Sequence, residues 1–231
     1  MSSPDPSPRA GHLLGFNAGY VDTAGFLALS GLFTAHVTGN FVTLGAALIH
    51  GGSGAWAKLA ALPVFCVTVL LTRLLSEAVV ARSQPVLTAL IVCKVVLLVA
   101  AAALMIGLGP FSDGDLWPAF LAGMLMVAAM AIQNGMQRMH MKSAPPSTLM
   151  TGNTTQVMID LADLLKGVSG APRAEALGRL RRMVPAISTF ALGCAVAALA
   201  YVGLGMWCFA IPPVVGLLTL PLLHGVPAGG A

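Results

Sequence analysis

The sequence predicts an all-α membrane protein of six transmembrane helices plus two short re-entrant half-helices, arranged as two inverted 3+3 repeats. Three observations predict it. The 231 residues are 57% hydrophobic and only 9% charged, with a mean hydropathy of +0.88, against ~25% charged residues in an ordinary soluble domain. Apolar runs of the ~20 residues that a ~30 Å hydrocarbon core demands of a helix occur near 13–33, 59–75, 86–108, 117–138, 184–204 and 208–223. The triplet Thr38-Gly39-Asn40 returns as Thr151-Gly152-Asn153, each time where a long apolar segment gives way to a short one.

Residues 1–11 hold three prolines and no basic stretch ahead of an apolar one, so they read as a flexible tail and not a cleavable signal peptide. In the first span, Gly15 and Gly19 form a small-xxx-small pair that lets another helix come close, and Asp22 lies on nearly the same face. A carboxylate in mid-span costs at least ~2.5 kcal/mol on insertion scales, so it is expected to be paired, protonated or functional. Two roles stand for Asp22: a proton relay, or a hydrogen-bonding partner for helix ends. His36, two residues before the first triplet, can titrate near neutral pH or simply hydrogen-bond. Residues 41–49 then reach only ~15 Å, half a membrane.

Leu62-Pro63 is read as opening the next span, and Lys94, deep in the following one, is the natural counter-charge for Asp22 unless it snorkels outward. Gly109-Pro110, the acidic pair Asp113 and Asp115, and the interfacial Trp117 divide the chain. From Trp117 the order of parts recurs. Gln133 and Asn134 take Asp22's place, Thr151-Gly152-Asn153 follows, then an amphipathic piece at 154–165, a loop at 166–182, and Val184-Pro185 opening another span. This is an internal duplication within one membrane domain at 1–231, repeat 1 at 12–110 and repeat 2 at 117–225. Asp160 and Asp163 read as a solvated face or a cation vestibule. Cys66, Cys93, Cys194 and Cys208 lie in apolar spans without CxxC spacing and read as free thiols.

Loop charge decides whether the short segments cross. If both cross, the basic loop residues divide seven against four. If both dip in and return, Arg9, Arg73, Arg82, Arg138, Lys142, Lys166, Arg173, Arg179, Arg181 and Arg182 share one side, with Lys58 alone opposite and Lys94 buried, which accounts for all 12 lysines and arginines. That bias is the positive-inside pattern, with both termini cytoplasmic. Three crossings per repeat invert the halves, so the two triplets enter from opposite faces and meet near the midplane, where transporters commonly bind their solutes.

Each triplet has two readings. Thr or Asn before an apolar run is an ordinary helix cap, with Gly allowing the turn. At the midplane the same turn offers N–H groups and a helix-dipole end to an anion or a file of waters, with Thr155 and Gln156 nearby. No nucleophile elbow, zinc-protease, P-loop or dinucleotide motif occurs, so neither an enzyme nor a cofactor is expected. The expected partners are the lipid bilayer, a small polar solute or anion, and another copy of the chain if it oligomerises; the basic residues in the loops speak for orientation and not for nucleic acid.

The run Gly19-Tyr-Val-Asp-Thr-Ala-Gly-Phe-Leu-Ala-Leu-Ser-Gly-Leu-Phe-Thr-Ala-His-Val-Thr-Gly-Asn40, with Met150-Thr-Gly-Asn-Thr-Thr-Gln156, resembles the YoaK family of bacterial integral membrane proteins. The resemblance covers nearly the whole chain and implies a small inner-membrane protein of about six helices, whose defining domain has no known function. From the residues, the expected function is a transporter or channel with its site between the triplets, proton-coupled through Asp22. The alternative is a membrane scaffold or stress-related interaction protein in which the triplets only cap helices.

Overall fold

Helix formation follows the apolar runs, but the helices start and stop where local chemistry allows. The computed structural model describes residues 8–142 and 144–223, which fold into eight α-helices and no strand: α1 (Pro8–Ala28), α2 (Gly39–His50), α3 (Ala55–Ala81), α4 (Val86–Leu108), α5 (Trp117–His140), α6 (Met150–Leu165), α7 (Gly170–Leu204) and α8 (Ile211–Thr219), with 3-10 turns at Gly205–Ala210 and Leu220–Leu223 flanking α8. Four stretches are long and apolar enough to cross a membrane: α3, α4, α5, and the composite from Gly170 to Leu223.

Several expected boundaries move. Pro8 to Gly11, expected in the tail, belong to α1, where Ala10 is fully buried; the rest of the expected tail, residues 1–7, lies outside the described residues. Helix α1 ends before Phe33 because Ser30 and Gly31 adopt left-handed backbone, φ 53° and 81°. Pro63 and Pro185 do not open their spans but lie inside α3 and α7, a position that membrane helices tolerate because neighbouring groups satisfy the freed carbonyl. The expected loop at 166–182 is mostly helix: its Ala, Leu, Glu and Arg residues are strong helix formers, and Glu175 lies four before Arg179, 3.9 Å from it. Thus α7 runs for 35 residues. The second triplet does not precede its short helix but lies in the first turn of α6.

Which ends meet defines how the helices run. Ser30, just past α1, accepts hydrogen bonds from Ser53 Oγ (2.6 Å) and from Gly114 N (3.2 Å), just before α5. Asp113 accepts from Gly54 N, and Asp115 from Ala57 N at 3.0 Å. Those carboxylates occupy the N-terminus of α3, where the helix dipole favours negative charge. The end of α1 and the starts of α3 and α5 therefore share one end of the bundle, and α2 leaves and returns to it. With 12 residues, α2 extends only ~18 Å. All three tryptophans are exposed: Trp56 and Trp117 begin α3 and α5 at this end, and Trp207 neighbours Met206, which packs on Gly109 there. At the opposite end Ser76 and His140, on α3 and α5, lie 2.6 Å apart.

Helices α1 and α5 form the buried centre and run antiparallel: Leu14, early in α1, accepts from Gln133, late in α5, while Gly123, early in α5, packs on Leu29 and Leu32. Their neighbours are exchanged between the halves of the chain. Helix α1 packs chiefly on α7 and also on α8, α5 chiefly on α4 and α3, and the short helices α2 and α6 lean on α3 and α7. Swapping α1 for α5, α2 for α6, α3 for α7 and α4 for α8 reproduces this pattern. The α1–α7 crossing is so close that a Cβ on Gly193 would lie 2.1 Å from the Phe16 carbonyl oxygen, and one on Gly19 2.2 Å from that of Phe190. Around the centre, α2, α3, α4 and α7 expose Val42, Ile49, Leu70, Val96 and Val202, large apolar side chains that suit a lipid surrounding better than water.

Candidate functional site

The site is built by the two connections that follow the central helices. After the left-handed turn at Ser30-Gly31, residues 32–38 fold back alongside α1, and Asp22 holds them there. Its Oδ1 accepts from Thr34 N (2.8 Å) and Ala35 N (2.7 Å), and its Oδ2 lies 2.7 Å from His36 Nδ1. Asp22 is 4% exposed, so these donors replace the water that burial removes. Its expected counter-charge is corrected: Asp22 pairs with His36 and not with Lys94, whose ammonium donates to Gln133 Oε1 near Leu14 of α1. The reason is distance along the helix: Leu14 and Asp22 sit more than two turns, about 12 Å, apart on α1, and the Lys94–Gln133 pair meets α1 at Leu14.

The second connection repeats this with amides. Gln133 Nε2 donates to Leu14 O and Ser147 Oγ, Gln137 Oε1 accepts from Ser147 N (3.1 Å) and Oγ (2.7 Å), and Asn134 Nδ2 donates to Thr148 Oγ1 at 2.6 Å. Counted from the triplets, Thr34 and Ser147 both stand four residues ahead of the threonine, and both give their backbone N–H to a side chain of the central helix. One amide here takes over the holding role of the carboxylate there.

The triplet asparagines have matching tasks. Asn40 spans seven residues back to Phe33, donating to its carbonyl and accepting from its N–H, each at 2.8 Å. Asn153 reaches back the same distance to Pro146 O at 3.1 Å. Proline has no N–H, so the second half of the clasp is missing. Neither Thr38 nor Leu149 caps its helix with a side-chain hydrogen bond; the threonine-cap reading of the triplets fails, and the asparagines serve the loops instead.

Between the two connections lies a cavity of about 430 Å3, walled by residues 35–38, by 148–152, by Leu62 and Phe65 of α3, and by Asn134 and Arg138 of α5. Of the expected site residues, it brings together His36, Thr38, Asn134, Thr151 and Gly152. Asp22, Gly39, Asn40, Gln133, Asn153 and Lys94 do not line it; most of these stand behind the wall and hold it. Thr155 bonds back to Thr151 O, and Gln156 donates to Asp160. Arg138 and Thr148 were not anticipated. Arg138 reads as a topological charge in sequence, and only the register of α5, one turn beyond Asn134, puts it on the cavity side. With Nδ1 engaged by Asp22, His36 keeps Nε2 as its one uncommitted ring nitrogen.

No carboxylate lines the cavity, and Arg138 makes no ion pair with another described residue. The Asp160 expectation of a solvated face is corrected: it is fully buried and takes three hydrogen bonds from the Arg179 guanidinium, at 2.7–3.1 Å, which hold its carboxyl below the usual carboxylate range. Among the described residues no three His, Cys, Asp or Glu side chains gather as a metal site. Residues 10–222 match the family DUF1275, described as a protein of unknown function. No curated protein and no solved structure matches the chain.

Proposed function

Since the chain belongs to the DUF1275 family, whose function is unknown, we propose that it is a membrane transporter or channel for a small polar solute or anion, with the cavity between the two triplet-bearing connections as its solute site. The observation that carries the proposal is that one cavity, of a volume typical of small-molecule sites, is walled by Thr38 from one half and by Thr151 and Gly152 from the other. Six crossings in two inverted repeats fit the antiparallel central pair: had α2 crossed, α1 and α5 would run parallel. The return of α2 to its end of departure and the exchanged packing support the same plan. Apart from Lys58 and Lys94, the basic residues fall toward the end holding His140, and the positive-inside bias supports a cytoplasmic side there, with both termini. The bacterial inner membrane is the setting that the YoaK resemblance implies.

The Asp22–His36 pair gives the site a proton carrier. Asp22 fixes the imidazole through Nδ1, so that proton gain and loss fall to Nε2, while the buried carboxylate steadies the charged ring. Uptake into proteoliposomes with and without a pH gradient tests the proposal. Solute entry that needs the protein supports it, and an inert bilayer across a broad panel of small solutes opposes it. A second reading, a membrane scaffold, draws on Asn40 and Asn153, both spent on holding their own loops.

A further inference from the structure

The cavity's charge is lopsided, and that narrows what it takes. Arg138 is its one full cation, with no acidic neighbour in the wall. The first turn of α6 lines the same space at residues 149–152 without any side-chain cap, so the positive end of a 16-residue helix and the exposed Arg138 border one cavity. Asn134 and Thr148 are hydrogen-bonded to each other, and the hydroxyls of Thr38 and Thr151 add polar positions. A planar guanidinium fork and an uncapped helix N-terminus on one cavity are both groups that favour the oxygens of a carboxylate or phosphate.

We propose that the cavity is a binding site for a small oxyanion, with Arg138 as its anchor and the α6 N-terminus as its second set of donors. This rests on the cavity being a solute site, but equilibrium binding tests it without any flux. Purified full-length protein in detergent is titrated with acetate, inorganic phosphate and chloride at constant ionic strength, and thermal unfolding is followed. The oxyanions raise the melting temperature saturably above the chloride baseline, as any ligand of the folded state does, and acetate against phosphate decides the carboxylate or phosphate class. Arg138→Gln melts like the wild type without ligand, since it loses no ion pair, but its half-saturation moves at least tenfold higher; Arg138→Lys, keeping the charge without the fork, falls between. An unchanged half-saturation in Arg138→Gln overturns the proposal, as does saturable stabilisation by neutral glycerol or urea alone. Binding without flux in proteoliposomes would sink the transport reading and leave the oxyanion site standing; flux of neutral solutes only would do the reverse.

Discussion

Replacing Asp22 separates its holding role from its proposed proton role. In Asp22→Ala, the Thr34 and Ala35 N–H groups lose their acceptor at positions that are 0% and 5% exposed. A buried donor left unsatisfied costs ~1–3 kcal/mol, so two cost roughly 2–6 kcal/mol. At 2–4 °C per kcal/mol for a chain of this size, the melting temperature in detergent falls by roughly 4–24 °C. Asp22→Asn keeps a carbonyl oxygen for both N–H groups and presents an NH2 to His36, whose ring answers by accepting at Nδ1 and carrying its proton on Nε2. Its cost is only the difference between charged and neutral hydrogen bonds, about 1 kcal/mol per bond. The variant therefore folds, but with Nε2 already protonated it loses the response of uptake to a pH gradient. Melting of Asp22→Ala within 1–2 °C of the wild type would show that Asp22 does not hold the turn. An undiminished gradient response in Asp22→Asn would remove the proton role.

The two asparagine clasps should differ: Asn40→Ala strands both polar groups of Phe33 and destabilises by ~2 kcal/mol or more, whereas Asn153→Ala strands only the Pro146 carbonyl and costs about half as much, as parallel melts will tell. Gly193→Ala forces α1 and α7 apart by about 1 Å and lowers the melting temperature sharply, while Gly203→Ala, with nothing within 4 Å of its Cβ, leaves it level or higher; equal behaviour of the two would refute the close crossing. For Asp160, whose folded pKa is depressed, the tie to Arg179 adds stability above the ordinary carboxylate pKa of 3.8, and that contribution is lost as pH falls through the lower folded value. The gap in melting temperature between wild type and Arg179→Gln should thus persist at neutral pH and close in acid.

Much of this was legible in the sequence, for identifiable reasons. Hydropathy and length locate the long helices because the bilayer fixes both, and the repeated triplet marks the two folded-back connections because in each its asparagine reaches back seven residues to the loop backbone. Helix ends were less legible: Pro63 and Pro185 look like starts, yet in a packed membrane helix a proline costs little when a neighbour satisfies the carbonyl. The reading of Asp22 as a hydrogen-bonding partner names its kind of role and His36 is a visible candidate, but the sequence does not single them out over Lys94, because the backbone N–H groups of Thr34 and Ala35 carry no sequence signature. Arg138 could be found only from the register of α5 against Asn134, which depends on how the second connection folds back. The shared spacing of Thr34 and Ser147 ahead of their triplets was available, and aligning the halves on Thr-Gly-Asn brings it out.

The central proposal, that the two connections are the lips of one cavity entered from opposite faces, is tested most directly by thiol accessibility. Thr38→Cys and Thr151→Cys are made in a chain whose four native cysteines are replaced, and sealed membrane vesicles of known orientation are treated with a membrane-impermeant thiol reagent from one side or the other. The account predicts that both react, Thr38→Cys faster from the face bearing the tryptophans and Thr151→Cys faster from the face bearing the arginines, with each protected by a bound solute. Two thiols inert from either face, or both reacting from the same face alone, would contradict it.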